Sequence, residues 1–314
     1  MLLAQALRAG LDAVRRSKRL LLLAALVTAL VSLPFALWMG RKVHAVGAHR
    51  PDARAIAESH DPDFFADVRS ASPGFDADAT ALALAALAIY FCVRPLIAGG
   101  YVGIAAAGKR IPFSQFVREG GHQYWKLFRV ALLQLFALYL VTLALKPLQT
   151  WIADVASRLP SAATALQYRR AAELFAFASC GALAMVFDYA RVGLRMHRSP
   201  GVLREIGLSF LFVLQSPFRT VVLFVLASGL EFAVLAAMIP LLRVADGSYV
   251  ATSIVVLVLG QVLVTLREAC RLFHVAGAWH LRRADEEGRS SRRGTTTAAQ
   301  EPDLLEAPLP WNVR

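Results

Sequence analysis

From its first residue the chain alternates long apolar runs with short basic segments. A helix that crosses a bilayer needs about 20 consecutive, mostly apolar residues. Residues 20–39 meet this with no charge between Arg19 and Arg41. Residues 79–108 contain one charge, Arg94. Residues 130–145 are bounded by Arg129 and Lys146, whose long stems can reach the two interfaces. Residues 174–194 carry Asp188 and Arg191 near their far end, and 220–242 carry only Glu231. Residues 249–266 are uncharged, then run on through Arg267, Glu268 and Arg271. The pattern predicts an all-α fold, a polytopic membrane helix bundle of about six transmembrane helices.

The segments that precede the outward-going spans share a second pattern. Leu3, Leu7, Leu11 and Val14 fall at helical spacing, opposite Arg8, Arg15 and Arg16. Phe113, Phe116, Val117 and Tyr124 repeat this after Pro112, and Val202, Leu203, Ile206 and Phe210 after Pro200. Proline suits a first helical turn, where its missing N–H would have no partner anyway. Apolar stripes backed by bases describe amphipathic helices in the inner headgroup layer, or equally loop helices packed on the bundle. The two later copies meet the next span through Phe128-Arg129 and Phe218-Arg219. Together they divide a six-helix transmembrane domain, residues 1–282, into a possible threefold repeat of interfacial helix plus helical hairpin: 1–108, 109–196 and 197–282. The remaining residues, 283–314, are polar enough to predict a disordered cytoplasmic tail, with a short apolar patch at 304–311.

Composition and charge sharpen this picture. Apolar residues make up 57% and charged residues 18%, against about 45–50% and about 25% in a soluble chain. The net charge of +12 could suit a nucleic-acid binder, but the bases lie in short clusters between apolar runs, so no nucleic-acid partner is expected. They read instead as orientation charge against anionic inner-leaflet lipids. The connections before spans 1, 3 and 5 and after span 6 hold roughly twice as many Lys and Arg as the opposite set. Both termini are therefore expected in the cytoplasm. The segment 41–78 offsets Arg41, Lys42, Arg50, Arg54 and Arg69 with seven carboxylates, among them Asp52, Glu58 and Asp67, so it can cross. The first apolar run exceeds the usual signal-peptide core of about 7–15 residues and reads as a retained anchor.

Charges inside spans are the best candidates for chemistry, because each costs about 2.5–3.5 kcal/mol at mid-membrane on insertion scales. Counting about 1.5 Å per residue from the outer face, Arg94 lies about 21–23 Å down, Asp188 about 24 Å, and Arg267 and Glu268 about 25–27 Å. Glu231 comes out near 16 Å. Arg94 is expected against Asp188, with Glu268 or Glu231 as the alternative partner. Pro95 frees a backbone carbonyl and can kink the helix. Gly99 and Gly103, at GxxxG spacing, allow another helix to come close. A kinked helix with a buried guanidinium suits a substrate path or an anionic headgroup site, and a purely structural ion pair would use the same residues.

Other features point to no chemistry. His44, His49 and His60, with Glu58, Asp61 and Asp63, are zinc-ligand types, but their spacing fits no ligand pattern, and no metal or cofactor is expected. His274 and His280 read as interface residues. The three scattered cysteines, Cys92, Cys180 and Cys270, read as small packing residues. There is no GxSxG, HExxH, GxxxxGKS/T or GxGxxG motif, so the expectation leans away from an enzyme.

The stretch Gly99-Gly100-Tyr101, Lys109-Arg110, Phe113, Phe116, Tyr124-Trp125 and Phe128-Arg129 resembles a diffuse group of uncharacterised bacterial six-helix membrane proteins. That group is loosely similar to the membrane domain attached to some glycerophosphodiester phosphodiesterases. The resemblance implies a module of the bacterial cytoplasmic (inner) membrane, with no catalytic residues to carry over. The expected role is a non-enzymatic scaffold or accessory, lipid-interacting module with an unidentified protein partner. The alternative is a small transporter or lipid-handling protein that uses Arg94, Asp188 and Glu231.

Overall fold

The computed structural model describes residues 1–47, 66, 69–70, 72, 74–158, 161–197, 201–244 and 250–299. Every long element among them is an α-helix: α1 (Leu2–Arg16), α2 (Lys18–Gly47), α3 (Phe75–Ala107), α4 (Phe113–Ser157), α5 (Ala162–Met196), α6 (Val202–Gln215), α7 (Pro217–Val244) and α8 (Val250–Ala299). Five stretches are long and apolar enough to cross a membrane by length and composition: Lys18–Lys42, Phe75–Ala107, Phe113–Ser157, Ala163–Met196 and Pro217–Ala237. The chain is a multi-pass membrane protein, helical throughout its long elements among the described residues. The expected span 249–266 falls on the start of α8, where the side chains of residues 250–257 lie outside the described set. So do His49, Glu58, His60, Asp61, Asp63, the His44 side chain and Pro200.

Local chemistry sets most of the breaks. Gly108 closes α3 in the left-handed conformation at φ 62°, with its N–H on the Ile104 carbonyl. Ser161 caps α5 by accepting from the Thr164 N–H. Pro217, having no N–H to offer α6, starts α7 instead. Nothing comparable interrupts the residues after Pro112. The segment expected as an interfacial helix there runs on into the next span, which gives α4 its 45 residues. Likewise α8 continues for 50 residues. The polar stretch from Arg283, expected to be disordered, is helical as far as Ala299. Pairs at i,i+4 (Arg282–Glu286, Arg283–Glu287 and Asp285–Arg289) support that extension. Residues 300–314 lie outside the described residues.

Burial is concentrated at one end of the helices, the end with the base-rich connections. Buried residues of α3 run from Pro95 to Ile104 and those of α4 mostly from Phe116 to Val130. In α5 they cluster from Met185 to Leu194, and in α8 from Glu268 to Arg282. The other halves expose Leu84, Leu87, Leu135, Leu143, Phe175, Phe177, Leu230 and Phe232. Small residues make the close approaches at the packed end. A Cβ on Gly99 would meet the Gly120 Cα at 2.8 Å, and one on Gly103 would meet the Glu119 Cβ at 2.9 Å. The GxxxG pair therefore seats α3 on its own hairpin partner, α4. The helix stays continuous through Pro95. Beside the carbonyl that this proline leaves free, the Tyr124 hydroxyl donates to the Cys92 carbonyl at 3.0 Å.

The three leading segments pack on the bundle through part of each expected stripe (Leu3, Leu7 and Val14 of α1, Phe116 of α4, Val202 and Ile206 of α6) together with small residues beside it. α1 buries Ala6, Gly10 and Ala13 against α8, and Leu11 is exposed. α6 buries Glu205, Ser209, Phe212 and Val213, and Leu203 and Phe210 are exposed. In α4, Phe113 points out and Phe116 points in. A Cβ on Gly10 would fall 2.6 Å from the Phe273 ring. Gly10→Leu is therefore expected to lift α1 from α8 at a cost of about 1–3 kcal/mol. Trypsin cleavage at Arg8, Arg15 and Arg16 should speed up, whereas Leu11→Ala should leave it unchanged.

Candidate functional site

The spacing of charges on α8 builds the site. Arg267, Arg271 and His274 follow one another at i, i+4 and i+7, so they share a face, and Glu268 lies three residues before Arg271. That face meets α3 on one side and α7 on the other. The Glu268 side chain is 1% exposed and anchors the cluster. Arg94 Nη1 donates to its Oε2 at 3.0 Å, the Tyr101 hydroxyl to the same oxygen at 2.8 Å, and Arg271 Nη1 to Oε1 at 2.9 Å. Arg271 Nη1 also donates to the Tyr90 hydroxyl at 3.0 Å. Its Nε joins Arg267 Nε on one oxygen of Glu231, at 3.1 and 2.8 Å.

A second group stands on α5. Arg191 donates to Asp188, one turn away, and to Gln134 on α4. His274 Nδ1 lies 3.6 Å from Asp188 Oδ2, a separation longer than a hydrogen bond. His274 Nε2 is buried with no hydrogen-bond partner among the described residues.

Between the two groups lies a cavity of about 450 Å³, within the range of about 300–1,000 Å³ typical of small-molecule sites. Arg94, Gln134, Asp188, Arg191, Glu231, Arg271 and His274 line it, with apolar walls from Leu127, Leu135, Leu138 and Phe224. Five helices contribute, so no hairpin makes the site alone. Four guanidiniums (Arg94, Arg191, Arg267 and Arg271) face three carboxylates, Asp188, Glu231 and Glu268. The surplus is one positive charge inside an apolar bundle. Among the described residues Arg94 donates through Nη1 alone, and Arg271 through Nε and Nη1. Guanidinium N–H groups left over in a low-dielectric site are strong ligands for an oxyanion.

Of the residues expected to form a site, Arg94, Asp188 and Glu231 line the cavity, while Glu268 and Arg267 pair with Arg94 and Glu231 from outside its lining, and the partners differ from those expected. The first-choice pairing of Arg94 with Asp188 is not made. Asp188 already has Arg191 on its own helix, and the alternative, Glu268, takes Arg94. Gln134, Tyr90 and Tyr101 are uncharged and stood out in no charge pattern. Sequence reasoning also missed a second buried cluster on the basic side. There the Arg282 side chain (4% exposed) pairs with Glu205 (0%) and donates to Ser209 Oγ and the Tyr189 carbonyl at 2.8 Å each. His197 bridges Glu205 and Glu286 at 3.0 and 3.3 Å. Gly193 makes room, since a Cβ there would overlap both Glu205 and Arg282. Among the described residues no group of three or more His, Cys, Asp or Glu is arranged to hold a metal ion. Compared with known proteins, the chain matches no family model, no curated sequence and no solved structure.

Proposed function

We propose that this is a lipid-handling membrane protein that takes the acidic headgroup of an anionic lipid into the cavity among α3, α4, α5, α7 and α8. The observation that carries this reading is the excess of guanidinium over carboxylate around a space walled on one side by leucines. An arginine surplus in hydrocarbon is costly and invites an anion, and the apolar wall gives an acyl chain a surface to follow. The cavity's size suits one headgroup and the start of its chains. Six spans with both termini in the cytoplasm fit this picture. α8 runs back along α7 until residues near Phe273 and Gly277 meet α1, which precedes the first span. The exposed apolar residues of these segments, Leu11 on α1, Phe113 and Val117 on α4, and Leu203 and Phe210 on α6, would lie in the inner headgroup layer.

Binding tests the proposal directly. Purified protein in phosphatidylcholine nanodiscs should bind dioctanoyl phosphatidic acid saturably, with one molecule per chain, and ignore dioctanoyl phosphatidylcholine. Arg191→Gln should weaken that binding roughly 10- to 100-fold, as expected for the loss of hydrogen bonds to a charged group. Equal affinity for the two lipids, or no effect of Arg191→Gln, would refute the reading. A scaffold role is the second reading, favoured by the exposed apolar halves of α3, α4, α5 and α7.

A further inference from the structure

We infer that Glu231 is a built-in competitor for the ligand's acidic group, holding Arg271 and Arg267 until an anionic headgroup displaces it. The inference rests on the lipid-headgroup reading of the cavity and adds the residue that sets its affinity. Asp188 and Glu231 are both partly exposed and line the cavity, but only Glu231 is shared by two arginines of another helix, so it can release one and keep the other. Glu268 is 1% exposed and receives bonds on both oxygens from three different side chains. Asp188 is tied to Arg191, its neighbour on the same helix, and lies near His274. Glu231 is 26% exposed, lines the cavity, and receives both of its bonds on the single oxygen Oε1. Its other oxygen accepts nothing among the described residues.

The exchange conserves charge–charge contacts. A phosphate oxygen arriving beside Arg94 and Arg271 would replace the Glu231 oxygen at the Arg271 Nε, and Glu231 would keep Arg267. Glu231 is the only charged residue of the span Pro217–Ala237 after Arg219, so this exchange is what would change how that helix is tied to α8.

The decisive experiment is a titration of dioctanoyl phosphatidic acid into protein in phosphatidylcholine nanodiscs. Wild type is compared with Glu231→Gln, which keeps an acceptor oxygen for Arg267 but drops the charge. Competition predicts that Glu231→Gln binds about tenfold tighter or better, the equivalent of one displaced charge-assisted bond. Unchanged or weaker binding, with or without a lower melting temperature, makes Glu231 a structural residue and overturns the inference. If the wild type binds no phosphatidic acid, the headgroup reading itself falls. Should Glu231→Gln fail to accumulate, Glu231→Asp takes its place: its shorter arm cannot span two arginines, so tighter binding is again required. Inorganic phosphate is the second titrant. Binding of phosphate as tight as that of phosphatidic acid would reassign the site to a soluble anion.

Discussion

Glu268→Ala should cost the fold about 3–5 kcal/mol, the range for removing one partner of a buried ion pair. The reason is geometric. The carboxylate satisfies Arg94, Arg271 and Tyr101 at once, and the two arginines cannot readily retreat to water from within a packed helix bundle. Thermal unfolding in detergent should show the loss as a large drop in midpoint. Glu268→Gln should fall between the alanine variant and wild type, because its amide oxygen still accepts from the Tyr101 hydroxyl. The double variant Arg94→Leu/Glu268→Leu should recover part of the deficit, since leucines in an apolar bundle leave one charge fewer stranded. Asp188→Ala, at a side chain 28% exposed and paired within its own helix, should cost clearly less. If Asp188→Ala proves the worse of the two, the assignment of Glu268 as the anchor is wrong.

The second large effect is expected at the basic end of the bundle, where Glu205 and Arg282 are both buried. Glu205→Ala would leave the buried guanidinium with Ser209, the Tyr189 carbonyl and only the more distant, partly exposed Glu286 at 3.8 Å, and a loss of about 3–5 kcal/mol follows. Gly193→Ala should approach the same value without touching either charge, because the new methyl takes the space both side chains use. The informative measurement is the double variant. If the glycine matters only as room for the ion pair, the two losses combine to far less than their sum. Full additivity would mean that Gly193 serves some other contact. Both variants are read from the melting temperature and from the amount of protein recovered from membranes.

What the sequence makes legible here is depth, and what it hides is rotation. A rise of about 1.5 Å per residue puts Arg94, Asp188 and the Arg267–Glu268 pair in one layer, and the structure sets all but Arg267 within or just behind one cavity wall. Glu231 counts as about one to two turns shallower in that arithmetic, yet the reach of two arginine side chains brings it to the same site. Which way each helix turns is set by packing, and there the reading fails. Arg94 faces α8 rather than α5, because Gly99 presses the opposite side of α3 against α4. Glu205, beside the exposed Arg204 in a short helix, carries no sign in its neighbours that it faces inward. The apolar stripes on α1 and α6 are correctly spaced for helices, but alanine, glycine and serine supply much of the contact, since only small residues let two helices come this close. Gln134 and Tyr101 escape notice because an uncharged polar residue barely disturbs an apolar run.

The unbroken length of α8 ties the two polar clusters together mechanically. Glu268 and Arg282 lie fourteen residues apart on one helix with no internal proline, a separation of about 21 Å along a stiff rod. A twist or slide of that rod at Glu268 therefore reaches the Arg282 socket as well, just as a key turns the bit and the bow together.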